Sequence, residues 1–86
     1  LCGHMDTVYG IDSLFQSVKQ IDENTLNGPG VADMKGGLIV MLHALQAFEK
    51  TEFANQLGWD VFINTDEELG SSSSRDIMCR LAEPCQ

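Results

Sequence analysis

The segment from about Met34 to Lys50 constrains the fold more than any other part of the chain. Leu38, Met41, Leu42, Leu45 and Phe48 recur at helical spacing. Ile39, Val40, Ala44 and Ala47 widen the stripe until most of the circumference is apolar. A helix of that kind is packed on more than one side. Asp33 at its start and Lys50 at its end match the helix dipole.

The flanking segments supply strands. Residues 1–5 read as the end of a buried strand and residues 6–14 as a loop. Phe15–Asp22 reads as a strand that turns at Glu23-Asn24 and returns through Thr25-Leu26. Asn27-Gly28-Pro29-Gly30 is a turn, because proline presets one backbone angle and glycine supplies the positive φ beside it. In Trp59–Asn64 the consecutive Val61, Phe62 and Ile63 suit a strand buried on both faces. A second helix is expected over Ser73–Ala82. Ser73 and Asp76 have capping-box spacing, and Ile77 and Leu81 form a core face. This order indicates an α/β domain with a largely parallel sheet flanked by helices. Met34, Met41 and Met78 are expected in its core, Trp59 in packing, and His43 in a structural or solvent-facing place.

Composition excludes some partners. The chain has 86 residues, one small domain at most. Its formal net charge is −8 and its five basic residues are scattered, which argues against nucleic acid. No apolar stretch approaches the roughly 18 residues of a membrane span. The chain starts at Leu1 without an initiator Met and reads as a cut through a longer one. Cys2, Cys79 and Cys85 form an odd set without CxxC spacing. They read as reduced structural thiols, which points to the cytoplasm, with a periplasmic or secreted location left open.

Three blocks carry chemistry. His4 and Asp6 stand two apart at a strand end, on one side of an extended chain. A metal-ligating histidine is commonly oriented by a carboxylate on its other ring nitrogen. Asp33 precedes the long helix, and Gly36 and Gly37 in its first turns signal close approach of another backbone or a bound group. Asp66-Glu67-Glu68 follows a buried strand, where crowded carboxylates are relieved by a cation. Taken singly, each block has a plainer reading: a surface histidine beside an acid, a helix N-cap, a solvated acidic loop. Together they can converge at the carboxyl edge of a sheet, where active groups of α/β proteins gather. No GxSxG elbow accompanies Ser71–Ser74, so these serines read as capping and loop residues.

The stretches GHMDTV (3–8), GPGVADMKGGLIVMLHALQAF (28–48) and GWDVFINTDEELGS (58–71) resemble the M20 family of metallopeptidases. The family's branches include glutamate carboxypeptidases, acetylornithine deacetylases and succinyl-diaminopimelate desuccinylases, and the middle block looks most like the first. The resemblance implies two zinc ions, with Co2+ or Mn2+ as alternatives, bridged by Asp33 and a water or hydroxide. It implies His4 on one zinc with Asp6 behind it, Glu68 on the other, and Glu67 as general base. It also implies a cis peptide at Asp33-Met34. The implied substrate is a small N-acyl amino acid or a peptide. The family's further metal ligands, and its smaller domain that often mediates homodimers, have no counterpart in these 86 residues. Residues 1–86 then read as a partial catalytic domain, inactive by itself. Other M20-type activities (deacetylase, desuccinylase, aminopeptidase) and a non-catalytic binding relative are the alternatives.

Overall fold

A computed structural model of the chain describes residues 1–83. Strand β1 (Cys2–His4) lies parallel to β4 (Phe62–Asn64), with Cys2 opposite Phe62, Gly3 opposite Ile63 and His4 opposite Asn64. Between them β2 (Lys19–Asp22) and β3 (Thr25–Asn27) form an antiparallel hairpin. Helix α1 (Gly36–Phe48) packs on β1, and α2 (Arg75–Ala82) follows β4. This is the expected small α/β arrangement with a parallel strand pair and helices.

Several boundaries are tighter than the sequence pattern indicates, each for a local reason. Phe15 is held in the loop by an edge-on contact with Tyr9 (centroids 4.9 Å apart) and a bond from its N–H to the Ser13 hydroxyl (3.1 Å), so β2 begins only at Lys19. β4 begins at Phe62 because its partner β1 offers only Cys2–His4. The long helix begins at Gly36. Asp33 (φ −130°, ψ 102°) and Met34 (φ −125°, ψ 29°) are non-helical, and they sit in a wide turn, Val31–Lys35, closed by Lys35 N–H on the Gly30 carbonyl (2.8 Å). α2 begins at Arg75 with no side-chain cap on its first turn. The Ser73 and Ser74 N–H groups bond the Asp66 carboxylate instead (2.8 and 3.0 Å), so the Ser73/Asp76 capping box does not form.

Apolar cover is sparse. Leu38, Met41, Leu45 and Phe48 make one half-buried stripe on α1, and Phe48 meets Trp59 edge-on at 5.0 Å. The other sides of α1 are open, with Ile39 55% and Val40 69% exposed, so the expected packing on several sides is absent among the described residues. Met34, Met41 and Met78 are half-buried rather than core, and His43 is exposed, as expected. The buried side chains are polar: His4, Asn64 and Ser74. The molecule is a slab of 45 × 36 × 11 Å with a radius of gyration of 16.0 Å; a compact domain of this length has about 12 Å. No described helix is long and apolar enough to cross a membrane.

Helix α1 comes close to β1 at Gly3. A Cβ there would stand 2.5 Å from Leu38 Cδ2 and 3.2 Å from Met34 Cε. Gly3→Ala in the full-length protein is therefore expected to cost about 1–3 kcal/mol through overpacking. Denaturant unfolding reads this as a lowered midpoint, and an unchanged midpoint would refute the tight contact.

Candidate metal centre

The in-register parallel pair puts His4 and Asn64 at one sheet edge. Met5 N–H donates to the Asn64 carbonyl (2.9 Å), so the chain leaves both strands side by side. The His4 imidazole is held there, 4% exposed. Its Nδ1 lies 3.2 Å from the Asp6 main-chain carbonyl and 3.3 Å from Asp6 Oδ1. Of the two, the carbonyl has hydrogen-bond geometry, and Oδ1 is a buried acceptor with no donor. The expected carboxylate orienter of His4 thus acts mainly through its backbone. The other oxygen, Asp6 Oδ2, accepts the Glu68 N–H (3.0 Å), which ties the histidine loop to the acidic turn.

On the opposite side of the ring, Nε2 faces Asp33 Oδ1 at 3.1 Å and Glu67 Oε2 at 3.8 Å. Asp33 is delivered by the wide turn before α1, and its peptide bond to Met34 is cis. Two glycines shape this turn. Gly30 takes φ 71°, which an L side chain rarely adopts. At Gly36 a Cβ would come within 2.7 Å of the Val31 carbonyl, the close backbone approach read from the sequence. Gly37 meets only the Met34 side chain, at 3.4 Å.

Glu67 and Glu68 open a short turn, Glu67–Leu69, just beyond β4. Ligand atoms of His4, Glu67 and Glu68 lie within 4.8 Å of one another. Asp33 joins them through its contact with His4 and borders two open concavities. One, of about 450 Å³, is lined by His4, Glu67 and Asn64 among others. The other, of about 190 Å³, is lined by Glu68, Thr7 and Tyr9 among others. All five residues singled out from the sequence, His4, Asp6, Asp33, Glu67 and Glu68, meet at this edge.

Charge is crowded here. Burial alone would lower the His4 pKa, but the Asp33 hydrogen bond, the Asp6 carbonyl and the Glu67 and Asp33 charges raise it above the ordinary value. Burial would raise Asp6, but the N–H groups of Glu68, Asp6 and Glu67 and the nearby His4 lower it. An imidazole pushed toward its cationic form by surrounding carboxylates is a place where a metal ion can replace the proton. One nitrogen and several carboxylate oxygens suit zinc, and cobalt or manganese as well. The donor set therefore fits the expected metal.

A second polar network lies beside this one, and sequence reasoning missed it. Asn64, 7% exposed, donates from Nδ2 to Asp66 Oδ1 (3.1 Å), Ser71 Oγ (3.1 Å) and Ser74 Oγ (3.0 Å). The Ser74 hydroxyl donates to Asp66 Oδ1 at 2.6 Å. Asp66 is lowered first by the Ser74 hydroxyl, against burial, and further by the Ser73 and Ser74 N–H groups and the Asn64 amide. The available signal was an amide at the inner end of an apolar strand, followed two residues later by Asp66 and then by four serines.

The sequence pattern of Peptidase family M20/M25/M40 matches residues 1–84. The chain is also similar to carboxypeptidase G2 of Pseudomonas sp. (strain RS-16), 40% identical over 78 residues, which is 91% of this chain and 19% of that protein. It thus spans about a fifth of the length of that relative. No solved structure gives a significant match. The family match runs through all three chemical blocks and nearly the whole sequence, and on that extent the chain belongs to peptidase family M20/M25/M40.

Proposed function

We propose that the full-length protein is a zinc-dependent hydrolase of amide bonds, acting on N-acyl amino acids or on the C-terminal residues of peptides. Residues 1–86 are part of its metal-binding catalytic domain. The observation that carries this reading is the meeting of His4, Asp33, Glu67 and Glu68 at one strand-pair edge. The relative's name, a carboxypeptidase, favours a substrate with a free C-terminal residue.

In this reading His4, Asp33 and Glu68 would hold the zinc. Zinc bound there would supply Lewis-acid polarisation of the scissile carbonyl. Asp6 fixes the His4 ring with its carbonyl and the Glu68 backbone with its carboxylate, so one residue sets the spacing of both sides. Glu67 is the general base: its side chain, 53% exposed, borders the larger concavity, where it can take a proton from the attacking water and pass it to the leaving amine.

Deacetylase, desuccinylase and aminopeptidase activities use the same chemistry and differ in substrate. A non-catalytic relative is disfavoured by the presence of both Glu67 and Glu68. The deciding experiment assays the purified full-length protein against N-acyl amino acids and dipeptides ending in glutamate, before and after dialysis against a chelator. Turnover is expected on amides with a free C-terminal carboxylate, lost on chelation and restored by zinc. Chelator-insensitive turnover, or no amide cleaved by metal-replete protein, would sink the proposal.

A further inference from the structure

We propose that Asp66 is a positioning residue that fixes the turn carrying Glu67 and Glu68; this rests on the roles given to those two residues above. The glutamates need such support from outside. The Glu67 side chain is 53% exposed, so its own packing does not orient it, and its backbone must. That backbone is locked from both ends of Asp66. Its main-chain carbonyl accepts the N–H groups of Leu69 (3.2 Å) and Ser71 (2.7 Å). Its carboxylate accepts Ser73 N–H, Ser74 N–H, the Ser74 hydroxyl and the Asn64 amide.

The result is a closed ring from Asn64 to Ser74. One side is anchored in the β1–β4 ladder through Asn64, and the other at the start of α2. Gly70 (φ 83°) and Ser71 (φ 55°) make the reversal that closes it. Asp66 lines neither concavity and lies outside the group of metal-competent side chains, so it acts only through its neighbours.

Asp66→Asn preserves shape but sets an amide donor against groups that are already donors. In the full-length protein it is expected to lower kcat about 10- to 100-fold, with KM within about threefold of wild type, because substrate binding is left alone. Zinc affinity, measured by competition with a chelator, is expected to fall about tenfold or more as Glu68 loses its place. Ser74→Ala should move both in the same direction by less, and Ser72→Ala should move neither. Thermal unfolding measures the folded fraction of each variant. Unchanged kcat and zinc affinity in folded Asp66→Asn would overturn the inference. So would losses that merely track the folded fraction. If wild type cleaves no amide, the hydrolase reading fails separately, and the zinc competition decides the role of Asp66 by itself.

Discussion

Replacing Glu67 by alanine in the full-length protein is expected to lower kcat by about 1,000-fold while zinc content stays near wild type. Glu67 approaches His4 Nε2 at 3.8 Å, whereas Asp33 approaches it at 3.1 Å, so the histidine's nearer partner survives the change. The Glu68 backbone also remains tied to Asp6. What disappears is the carboxylate that faces the concavity and can exchange protons with water. Elemental analysis beside steady-state kinetics separates the outcomes. Loss of zinc together with turnover would make Glu67 a ligand, consistent with its place within 4.8 Å of His4 and Glu68. Unchanged turnover would remove it from the mechanism.

The second large effect concerns residues 1–86 expressed alone. They are expected to show no cooperative thermal transition, to retain little zinc after dialysis and to cleave no amide. The reason is the missing apolar interior. No apolar side chain among the described residues is buried, and Ile11, Leu14 and Leu69 are 94%, 104% and 82% exposed. Hydrophobic burial is the main term opposing chain entropy, and a half-buried stripe on one helix supplies too little of it. Three or four ligands on so open a support are not held at a fixed spacing. A sharp unfolding transition with about two tightly bound zinc ions per chain would contradict this, and would require the exposed faces to be covered by self-association.

The convergence of the three blocks was legible in the sequence because each lies at a strand end or helix start, and parallel strands bring such ends to one edge. Val61-Phe62-Ile63 and the helical recurrence of Leu38, Met41, Leu45 and Phe48 were legible for the same reason: periodicity reports which face meets a neighbour. It reports poorly on how much neighbour there is. The nearly all-round apolar character of α1 predicted cover on several sides, and only one is covered here. Boundaries failed where a tertiary partner decides them. β4 is as short as β1, and α2 starts late because Asp66 takes the amides that a local cap would have taken. The Asn64 network was hidden because a buried amide cannot be told from a turn residue until its partners are placed. Asp6 was singled out from the sequence, but not its bond to the Glu68 N–H, which depends on strand register.

That bond has a kinetic meaning. Asp6 and Glu68 lie 62 residues apart in sequence, and they meet only when β1 and β4 pair side by side. Closing a loop of that size costs on the order of 4 kcal/mol in chain entropy before any contact rewards it. Local elements such as the β2–β3 hairpin and α1 face no comparable delay and can form first. During synthesis His4 emerges before its acidic partners, and it waits until the chain has been made through Glu68. The strand edge that gathers His4, Glu67 and Glu68 therefore assembles after those local elements. An ion held there would report that β1 and β4 have paired.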